Sequence, residues 1–480
     1  MKKFWLNVLN YYYDHYIAVT LAIMTIFLGL SSYWFPLIFV SIFILVPYIF
    51  LSELEEDIYV LIYLILFATC TIFFFSAVAI LGVSLIIKLI SSIAQKKVVF
   101  YKRTFFITLA ICLVFSIINY GYSLTGLFQG SIYFVMPFIV FFFFTFRKII
   151  DVKKCFKFLF IGLISSLALS MILYVIPGGE VLNYFQGDFR FKDIGEIIFL
   201  QDGNYKRLVL LTFSHNQLGN YCIYYMAFAL YMLFNTRYES NKQQYLCTCV
   251  SFAVAMLIGI FTMSKAFFIL AIMVFAYGIF MALTKIKEKS NKVILITVLS
   301  SALVFALLNI FVLNIFNRFS NPTSDVEGTV STLVTGRNEI WKAYFKDIFS
   351  SPLKIIFGSG IFAKDVVDIG PHNMYIGIFY RFGIVGIGAL LTLAISYAYD
   401  AGLKFKLSLL KVLPIITFAV QAMAEANVDE RFLFGIFAIV LLFLDKVELR
   451  RENDTEQEET DEVKYYKMLM RLKISRQKNK

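Results

Sequence analysis

Two of the chain's three histidines are followed directly by asparagine, as His215-Asn216 and His372-Asn373. At each pair a polar stretch of the chain gives way to a long apolar run. A histidine can take up a proton near neutral pH, so either residue could serve as a general base in a group transfer. The alternative is a polar residue at the hydrated start of a helix. Position alone favours that alternative for both histidines, and more strongly for His215.

Two arginines stand at similar boundaries. Arg207 ends the polar stretch before His215, and Arg337 begins an amphipathic segment before His372. The planar fork of a guanidinium can clamp a pyrophosphate. An arginine at a membrane edge also snorkels to lipid head groups, and for each arginine taken singly this interpretation is favoured. The polar stretches contain no Asp-x-Asp motif and no histidine cluster with metal-ligand spacing, so the sequence predicts chemistry without a metal or other cofactor.

The composition indicates that membrane helices position these residues. Hydrophobic residues make up 60% of the chain, charged residues only 16%, and the mean hydropathy is +0.78. The charge is gathered into clusters between apolar runs, and a membrane helix needs roughly 20 apolar residues. The sequence therefore predicts an all-α polytopic membrane protein with 12, or up to 14, transmembrane helices. The count stays open because the apolar run 58–93 is too long for one ordinary span and just long enough for two.

Lysine and arginine clusters predict the orientation. Each cluster lies an even number of predicted spans from the next, so all can face the cytoplasm together, as the positive-inside rule requires. The clusters lie at 96–103, 147–157, 285–292 and 404–411. This rule also accounts for the net charge of +12, so no nucleic-acid partner is expected. The charges of the acidic turn 52–57 do not indicate on which side of the membrane this turn lies.

The same orientation places two long polar loops, 177–207 and 315–372, outside the cytoplasm. The second loop is predicted to contain an amphipathic helix that Thr335 caps and Pro352 ends. Its apolar face suits the membrane–water interface. That face contains Ile340, Trp341, Tyr344, Phe345, Ile348 and Phe349. The predicted organisation is transmembrane helices over 1–176, the first loop over 177–207, central transmembrane helices over 208–314, the second loop over 315–372, C-terminal transmembrane helices over 373–445, and a charged cytoplasmic tail over 446–480.

Four short segments between about 200 and 390 together resemble the O-antigen ligase/polymerase family. His372-Asn373 followed by Gly383 and Gly386 is similar to that family's His-Asn…Gly-x-x-Gly signature. The family's Gly-Arg…Trp segment, followed by a proline and Gly-x-Gly, is matched by Gly336-Arg337, Trp341, Pro352, Gly358 and Gly360. Its Arg…Asn-x-x-Gly segment is matched by Arg207, Asn216 and Gly219. Ser264-Lys265 stands where the family often has Ser-Arg.

The resemblance implies a GT-C-like glycosyltransferase of the bacterial plasma membrane, with its active site on the extracytoplasmic side. Its substrates would be polyprenyl-pyrophosphate-linked oligosaccharides, as donor and as acceptor. By this resemblance His372 would be the general base, and Arg337 and Arg207 would bind the pyrophosphate. Asn373, His215, Asn216 and Tyr375 would position substrate. A flippase, a chain-length regulator and membrane lipids are the expected partners.

Three functions remain open from the sequence. The first is a polymerase of oligosaccharide repeat units, and the second is an O-antigen ligase that transfers glycan to lipid A core. Abundant Phe, Ile, Lys, Tyr and Asn suggest an AT-rich genome, which favours the polymerase weakly. The third is a lipid-oligosaccharide flippase or transporter, which is disfavoured because the predicted spans have almost no charge at their centres.

Overall fold

The computed structural model describes most of the chain up to residue 285 and the region around the second predicted loop. The described residues are 2–67, 69–95, 100–119, 141, 145, 151–176, 178–185, 188–202, 205–212, 214–234, 242–285, 296, 300, 337–360, 366, 370–371, 373–401, 416–417, 420 and 422–423. They are mostly helical. The predicted count of 12 to 14 spans extends beyond these residues and stays a prediction, as do the Thr335 cap and the charged tail.

Within the described part, three helices are long and apolar enough to cross a membrane, namely Ile72–Ala94, Lys154–Val175 and Met374–Tyr397. Shorter apolar helices accompany them over His15–Leu30, Leu37–Leu51, Tyr245–Phe261 and Ala266–Met281. Large apolar side chains such as Ile87, Ile272 and Ile395 are exposed on these helices. Such an exposed apolar surface is typical of helices that face lipid.

The N-terminal helices alternate in direction. α1 (Lys2–Leu30) packs against α2 (Leu37–Phe43) and α3 (Leu45–Leu51), which return in the opposite direction. α4 (Leu54–Leu64) continues into a short 3-10 helix (Ile65–Phe67), and α5 (Thr71–Ala94) follows after a break. The apolar run 58–93 therefore forms two helical segments, as its length allowed.

The acidic turn 52–57 lies on the side of the basic connectors. Lys88, near the end of α5, places its Nζ 2.7 Å from Oδ2 of Asp57 at the start of α4. The hydroxyls of Ser52 and Ser84 also donate to the Asp57 carboxylate, at 2.7 Å each. Because α5 leads directly into the basic connector 96–103, this turn belongs to the same side, which the sequence did not fix.

Two helices lead to the first loop and the site. α6 (Lys102–Asn119) follows the basic connector, and α7 (Val152–Val175) starts on that side and runs parallel to α4. The Ser166 hydroxyl donates to the Leu66 carbonyl at 3.0 Å, and a Cβ at Gly162 would lie 2.9 Å from the Tyr63 carbonyl oxygen. This close contact fixes the end of the 3-10 helix against α7.

The first loop contains two β-hairpins, so the prediction of an all-α chain was incomplete. β1 (Glu180–Phe185) pairs antiparallel with β2 (Asp188–Asp193), and β3 (Phe199–Asp202) pairs with β4 (Tyr205–Leu208). The short helix α8 (Ile194–Ile198) joins the hairpins. The backbone N–H of Glu180 donates to the Ser32 carbonyl at 2.8 Å, so the loop covers the turn after α1, away from the basic connectors.

Three central helices follow. α9 (His215–Phe234) is antiparallel to α10 (Lys242–Phe261): Gly219 lies near Thr262, just after α10, and the Tyr225 hydroxyl donates to the Ser251 hydroxyl at 2.7 Å. α11 (Lys265–Lys285) runs parallel to α9 and ends in the basic connector 285–292. The turn between α10 and α11 therefore lies beside the start of α9.

The second loop contains the predicted amphipathic helix, α12 (Arg337–Ile348). Pro352 does not end this helix, contrary to prediction: α12 stops at Ile348, and Pro352 begins the next helix, α13 (Pro352–Phe357). A proline suits the first position of a helix because the N–H that it lacks would have no intrahelical partner there. The Ser351 hydroxyl accepts from Leu353 N at 3.3 Å and caps α13.

The last described helix, α14 (Met374–Ala401), is kinked at Gly383, where φ is +61°. The kink frees carbonyls of the helix, and the segment after α13 pairs with them: Ser359 N donates to Tyr380 O at 2.7 Å, and Gly360 N to Arg381 O at 3.0 Å. A Cβ at Gly383 would lie 2.4 Å from the Ile356 carbonyl oxygen. The Gly-x-Gly segment and the glycine of α14 are thus two sides of one backbone contact.

α14 links the two hydrophobic clusters of the described part. Met374, Ile378 and Phe382 join the main core, while Ile376 and Tyr380 on another face pack with Tyr344 and Ile348 of α12. At its far end the Ser396 hydroxyl lies 2.8 Å from that of Thr104 at the start of α6. α14 therefore ends on the basic side and begins on the opposite side.

The Asp57–Lys88 pair predicts a non-additive stability effect. Lys88→Met would leave a buried carboxylate without its counter-charge, a change that typically costs about 3–5 kcal/mol. The double variant Asp57→Asn/Lys88→Met removes both charges and should lose less than either single variant. The half-exposed pair Lys354–Asp347, also at 2.7 Å, is the control, and Lys354→Met should cost under about 1 kcal/mol. Thermal unfolding in detergent measures all four, and additive losses would contradict the pairing.

The kink in α14 predicts opposite effects at two glycines of one helix. Gly383→Ala would combine positive φ with backbone overlap and should cost about 3 kcal/mol or more. Gly388 has open space around its Cβ position, so Gly388→Ala should be neutral or stabilise by about 0.5–1 kcal/mol. Melting temperatures of the two variants give the comparison, and equal values would mean that the close contact is absent.

Candidate functional site

The central helix α9 is enclosed by the rest of the protein. All residues from Gln217 to Leu233 are buried. A helix that is buried on every side is expected to be apolar all round. The first turns of α9 instead contain Asn216, Gln217 and Asn220. Polar side chains placed inside a membrane protein are costly and commonly functional, so this end of α9 is the candidate site.

The segment 208–212, which precedes α9, is a non-helical stretch inside the protein. Its residues from Leu208 to Thr212 are buried. Backbone of this kind is tolerated at membrane depth only where protein or an internal cavity surrounds it, because each polar group needs a partner. Those partners come from both sides: Val209 N donates to the Ile198 carbonyl at 2.8 Å, and Thr69 N donates to the Leu211 carbonyl at 3.1 Å. The Thr69 hydroxyl also donates to the Thr212 carbonyl.

Arg207 and His215 lie at the two ends of this segment and contact each other. Nη1 of Arg207 is 2.5 Å from Nε2 of His215, and Arg207 is only 8% exposed. A guanidinium only donates, so Nε2 of His215 is the acceptor in this contact. The substrate-positioning role of His215 stays a prediction. The contact orients a charge-bearing donor group in a buried position.

The turn between α10 and α11 closes the site from the other side. A Cβ at Gly219 would lie 3.3 Å from Oγ1 of Thr262 and 3.4 Å from Cβ of Ser264, so α9 approaches this turn closely. Both Thr262 and Ser264 are buried, and Lys265 begins α11. The segment containing Arg207 and the Ser264-Lys265 segment, far apart in sequence, therefore meet at the start of α9.

Two backbone outliers border the same place. Among the described residues, the non-glycine residues with positive φ are Leu210, at +54°, and Met263, at +50°. Leu210 lies in the segment before α9 and Met263 in the turn between α10 and α11. Strained backbone of this kind persists where surrounding contacts hold it, and it concentrates at functional sites. The strained backbone at Leu210 and Met263 therefore supports a functional role for the two turns beside the start of α9.

The second group of predicted residues lies on α12 and α14. Arg337 is the first residue of α12, and Tyr375, which is 43% exposed, lies in the first turn of α14. His372 is outside the described residues, so its role as a base stays a prediction. Its neighbours are held on both sides. Trp341 Nε1 donates to the Pro371 carbonyl at 2.7 Å, and Asn373 precedes α14.

Asn373 caps α14. Its Oδ1 accepts from Tyr375 N at 3.0 Å and from Ile376 N at 3.2 Å, as an N-cap asparagine does. The amide oxygen is therefore engaged in the helix start. A substrate-positioning role for Asn373, which the sequence predicts, would use its amide nitrogen.

Sequence reasoning missed several of these contacts. Gln217 and Asn220 were counted as part of an apolar run. An asparagine four residues after Asn216 nevertheless indicates a polar face of a helix. The bond from Trp341 to Pro371 needs the tertiary fold. Among the described residues, no group of three or more His, Cys, Asp or Glu side chains is placed to hold a metal ion.

Comparisons of the chain with protein-family models, with curated proteins and with solved structures found no significant match. The resemblance over about 200–390 is therefore a hypothesis that the four sequence segments carry. The contacts between those segments are independent of it.

The Arg207–His215 contact predicts an anion site that inorganic pyrophosphate can probe. Pyrophosphate should raise the melting temperature of the purified protein, because a ligand that binds only the folded state stabilises it. Arg207→Ala and Arg207→Lys should both lose most of this rise, since a point charge does not replace a planar fork. His215→Gln should keep more of it than His215→Leu, because an amide oxygen can still accept from Arg207.

The control for this measurement is Arg190→Ala, which removes an exposed arginine from β2 in the same loop. It should leave the pyrophosphate effect unchanged. An equal loss in the Arg190 and Arg207 variants would indicate general charge attraction and would remove the case for a site at Arg207.

Proposed function

We propose that this protein is a membrane glycosyltransferase that joins polyprenyl-pyrophosphate-linked oligosaccharide repeat units into a surface polysaccharide such as O-antigen, capsule or exopolysaccharide. One observation supports this above others: the four segments of the resemblance form two pairs in space. Arg207 and the start of α9 lie beside the turn that contains Ser264. The segment with Gly358 and Gly360 packs against the kink of α14, and Trp341 holds the residue before His372. Each pairing brings two segments of the resemblance to one place, as a shared site requires.

The proposed reaction needs a base and a stabilised leaving group. His372 takes the proton from a hydroxyl of the acceptor sugar as that oxygen attacks the anomeric carbon of the donor. A bond forms between the acceptor oxygen and the anomeric carbon, while the bond from that carbon to the pyrophosphate breaks. The electron pair leaves with the polyprenyl pyrophosphate. Attack from the side opposite the leaving group inverts the anomeric centre.

Arg207 and Arg337 stabilise the departing pyrophosphate in this mechanism. Charge develops on the pyrophosphate oxygens as the bond breaks, and oriented donors in a site shielded from water stabilise it more than water would. Arg207 is buried and oriented by His215, which supports this role. Arg337 begins α12, which packs on the first two turns of α14 through Ile376 and Tyr380. No metal ion takes part in the proposed mechanism.

The topology supports chemistry on the extracytoplasmic side. α9 and α14 both begin on the side opposite the basic connectors, and both hairpins of the first loop lie there. By the positive-inside rule the basic side is cytoplasmic. Lipid-linked sugars on the other side have no nucleotide available, so a donor that already has its leaving group suits this location.

The buried pair of Asp57 and Lys88 is the feature most typical of a transporter, the rival class. Charged residues on a transport path usually lie near mid-membrane. This pair instead lies at the basic end of α4 and α5, and the Asp57 carboxylate accepts from three neighbours: Ser52, Ser84 and Lys88. A saturated pair of this kind clamps two helices, and it favours a structural role over transport.

Deleting the gene and resizing the cell's glycans tests the function. A strain without the gene should carry one repeat unit per polyprenyl lipid, and wild-type protein should restore long chains. His372→Ala should accumulate in the membrane without restoring them, because loss of a general base costs about 10²- to 10⁴-fold in rate. Trp341→Phe keeps the ring but loses the bond to the Pro371 carbonyl, and it should give shortened chains.

Two results would contradict the proposal. Long glycan trapped on the polyprenyl lipid of the deletion strain would identify a ligase instead. Turnover of purified His372→Ala above about a tenth of wild type would exclude His372 as the base. A loss of less than about tenfold is smaller than the loss that removal of a general base usually causes. Unchanged glycans in the deletion strain would remove the glycosyltransferase assignment altogether.

A further inference from the structure

Asn220 is a fully buried amide in the central helix of the protein. Its relative exposure is 0%, and among the described residues neither its Oδ1 nor its Nδ2 has a hydrogen-bond partner. Buried polar groups in native proteins nearly always have partners, so an exception calls for an explanation, such as a ligand or bound water. In a membrane protein the cost is higher because the alternative to a ligand is an apolar surrounding.

Ser264 shows the same feature on the other side of the site. It is 2% exposed, and its Oγ also has no hydrogen-bond partner within the described part of the chain. Ser264 belongs to the turn between α10 and α11, and its Cβ would lie 3.4 Å from a Cβ at Gly219, the residue before Asn220. Two unsatisfied polar groups therefore lie on neighbouring elements, Ser264 in the turn that packs at Gly219 and Asn220 at the next position of α9.

The types of these groups limit what can bind there. A carboxamide both donates and accepts, and a hydroxyl does the same. A phosphate presents only acceptors at neutral pH, so it would leave Oδ1 of Asn220 facing another oxygen. Sugar hydroxyl and amide groups present donors and acceptors together. The pair is therefore suited to an uncharged, polyhydroxylated ligand.

The place of Asn220 along α9 agrees with such a ligand next to a phosphate. Asn220 follows His215 by five residues, a rise of about 7.5 Å along the helix. Asn216 and Asn220 are four residues apart and therefore project from one face. A sugar attached directly to a pyrophosphate at Arg207, which contacts His215, would lie within about two helical turns of Asn220 along α9.

We propose that Asn220 and Ser264 bind the first sugar of the donor, the one attached to the pyrophosphate, and so help to determine which lipid-linked repeat unit is used. This inference rests on the proposed function, since it needs a sugar donor at Arg207. Arg207 binds the charged leaving group, and the uncharged side chains of Asn220 and Ser264 bind the sugar next to it. Neither Asn220 nor Ser264 takes part in proton transfer.

The test compares two lipids that differ only in the sugar. One is polyprenyl pyrophosphate, and the other is the polyprenyl-pyrophosphate-linked oligosaccharide that accumulates when the gene is deleted. Asn220→Leu has nearly the same shape without the polar atoms. It should weaken binding of the sugar-bearing lipid at least tenfold and change binding of the bare pyrophosphate lipid less than twofold. Its melting temperature without lipid should stay equal or rise, because an unsatisfied buried amide is gone.

A matched pair of serines provides a second measurement if Asn220→Leu fails to fold. Ser264→Ala should weaken the sugar-bearing lipid selectively. Ser170 of α7 is also fully buried, and its Oγ has no hydrogen-bond partner among the described residues, so Ser170→Ala is the control and should bind both lipids as wild type does.

Other outcomes overturn the inference in distinguishable ways. Equal binding of both lipids by wild type and Asn220→Leu, with loss of both in Arg207→Ala, would keep the pyrophosphate site and exclude sugar recognition here. The same would follow if Asn220→Leu weakened both lipids equally. Binding of neither lipid by wild type would overturn the proposed function and this inference with it.

Discussion

The need to satisfy every backbone N–H and C=O away from water governs how this protein builds its site. Residues 208–212 cross the interior outside any helix, after Arg207 and before α9. Thr69, in the break between the 3-10 helix and α5, donates to two carbonyls of this segment, and the Ile198 carbonyl accepts from its other side. These few bonds let a non-helical segment carry a buried arginine to the start of α9. Without them the segment would have to leave the protein interior, and Arg207 would leave with it.

The same constraint recurs at α14. The kink at Gly383 breaks the helical pattern, and the backbone of Ser359 and Gly360 takes up the carbonyls that the kink releases. The first broken stretch leads directly from Arg207, a residue proposed to act on substrate, and the second joins the Gly-x-Gly segment to α14. Regular helix buries its own polar groups and presents side chains only at fixed angles. Interrupted backbone gives the freedom to place a functional group, provided that a second element completes its hydrogen bonds.

Much of the framework could be predicted from the sequence, because membrane helices are local in origin. Apolar length indicated the helices, and the amphipathic pattern of α12 was confirmed. The two hairpins were missed because strands such as Tyr205–Leu208 are too short for alternation to stand out among charged residues. Pro352 was assigned to the end of a helix, although a proline is equally suited to a first position. Local pattern alone does not separate those two uses.

Contacts between distant segments were harder to predict, and the site consists of them. Nothing near Thr69 in the sequence indicates that it completes the backbone of residues 211 and 212. Nothing near Gly219 indicates that Ser264 will pack against it. Placing such pairs needs the packing angles and depths of several helices at once. The sequence did show which polar and charged residues would be costly to bury. Several of these residues lie close together in the fold.

The N-terminal helices help to set the depth of the site, although their sequence shows only apolar spans. Residues 54–67 rise roughly 21 Å from the basic side, less than the hydrocarbon thickness of about 30 Å. The break at Thr69 therefore lies less than one hydrocarbon thickness from the start of α4, and Thr69 donates to the carbonyls of residues 211 and 212 there. The Asp57–Lys88 pair holds the other end of the same helices together on the basic side. Had the helix of residues 54–67 continued through Thr69, the Thr69 N–H would have bonded within that helix. The Leu211 carbonyl would then have lost its partner. The end of one short helix near the N-terminus thus helps to hold the interior backbone beside an arginine more than a hundred residues later.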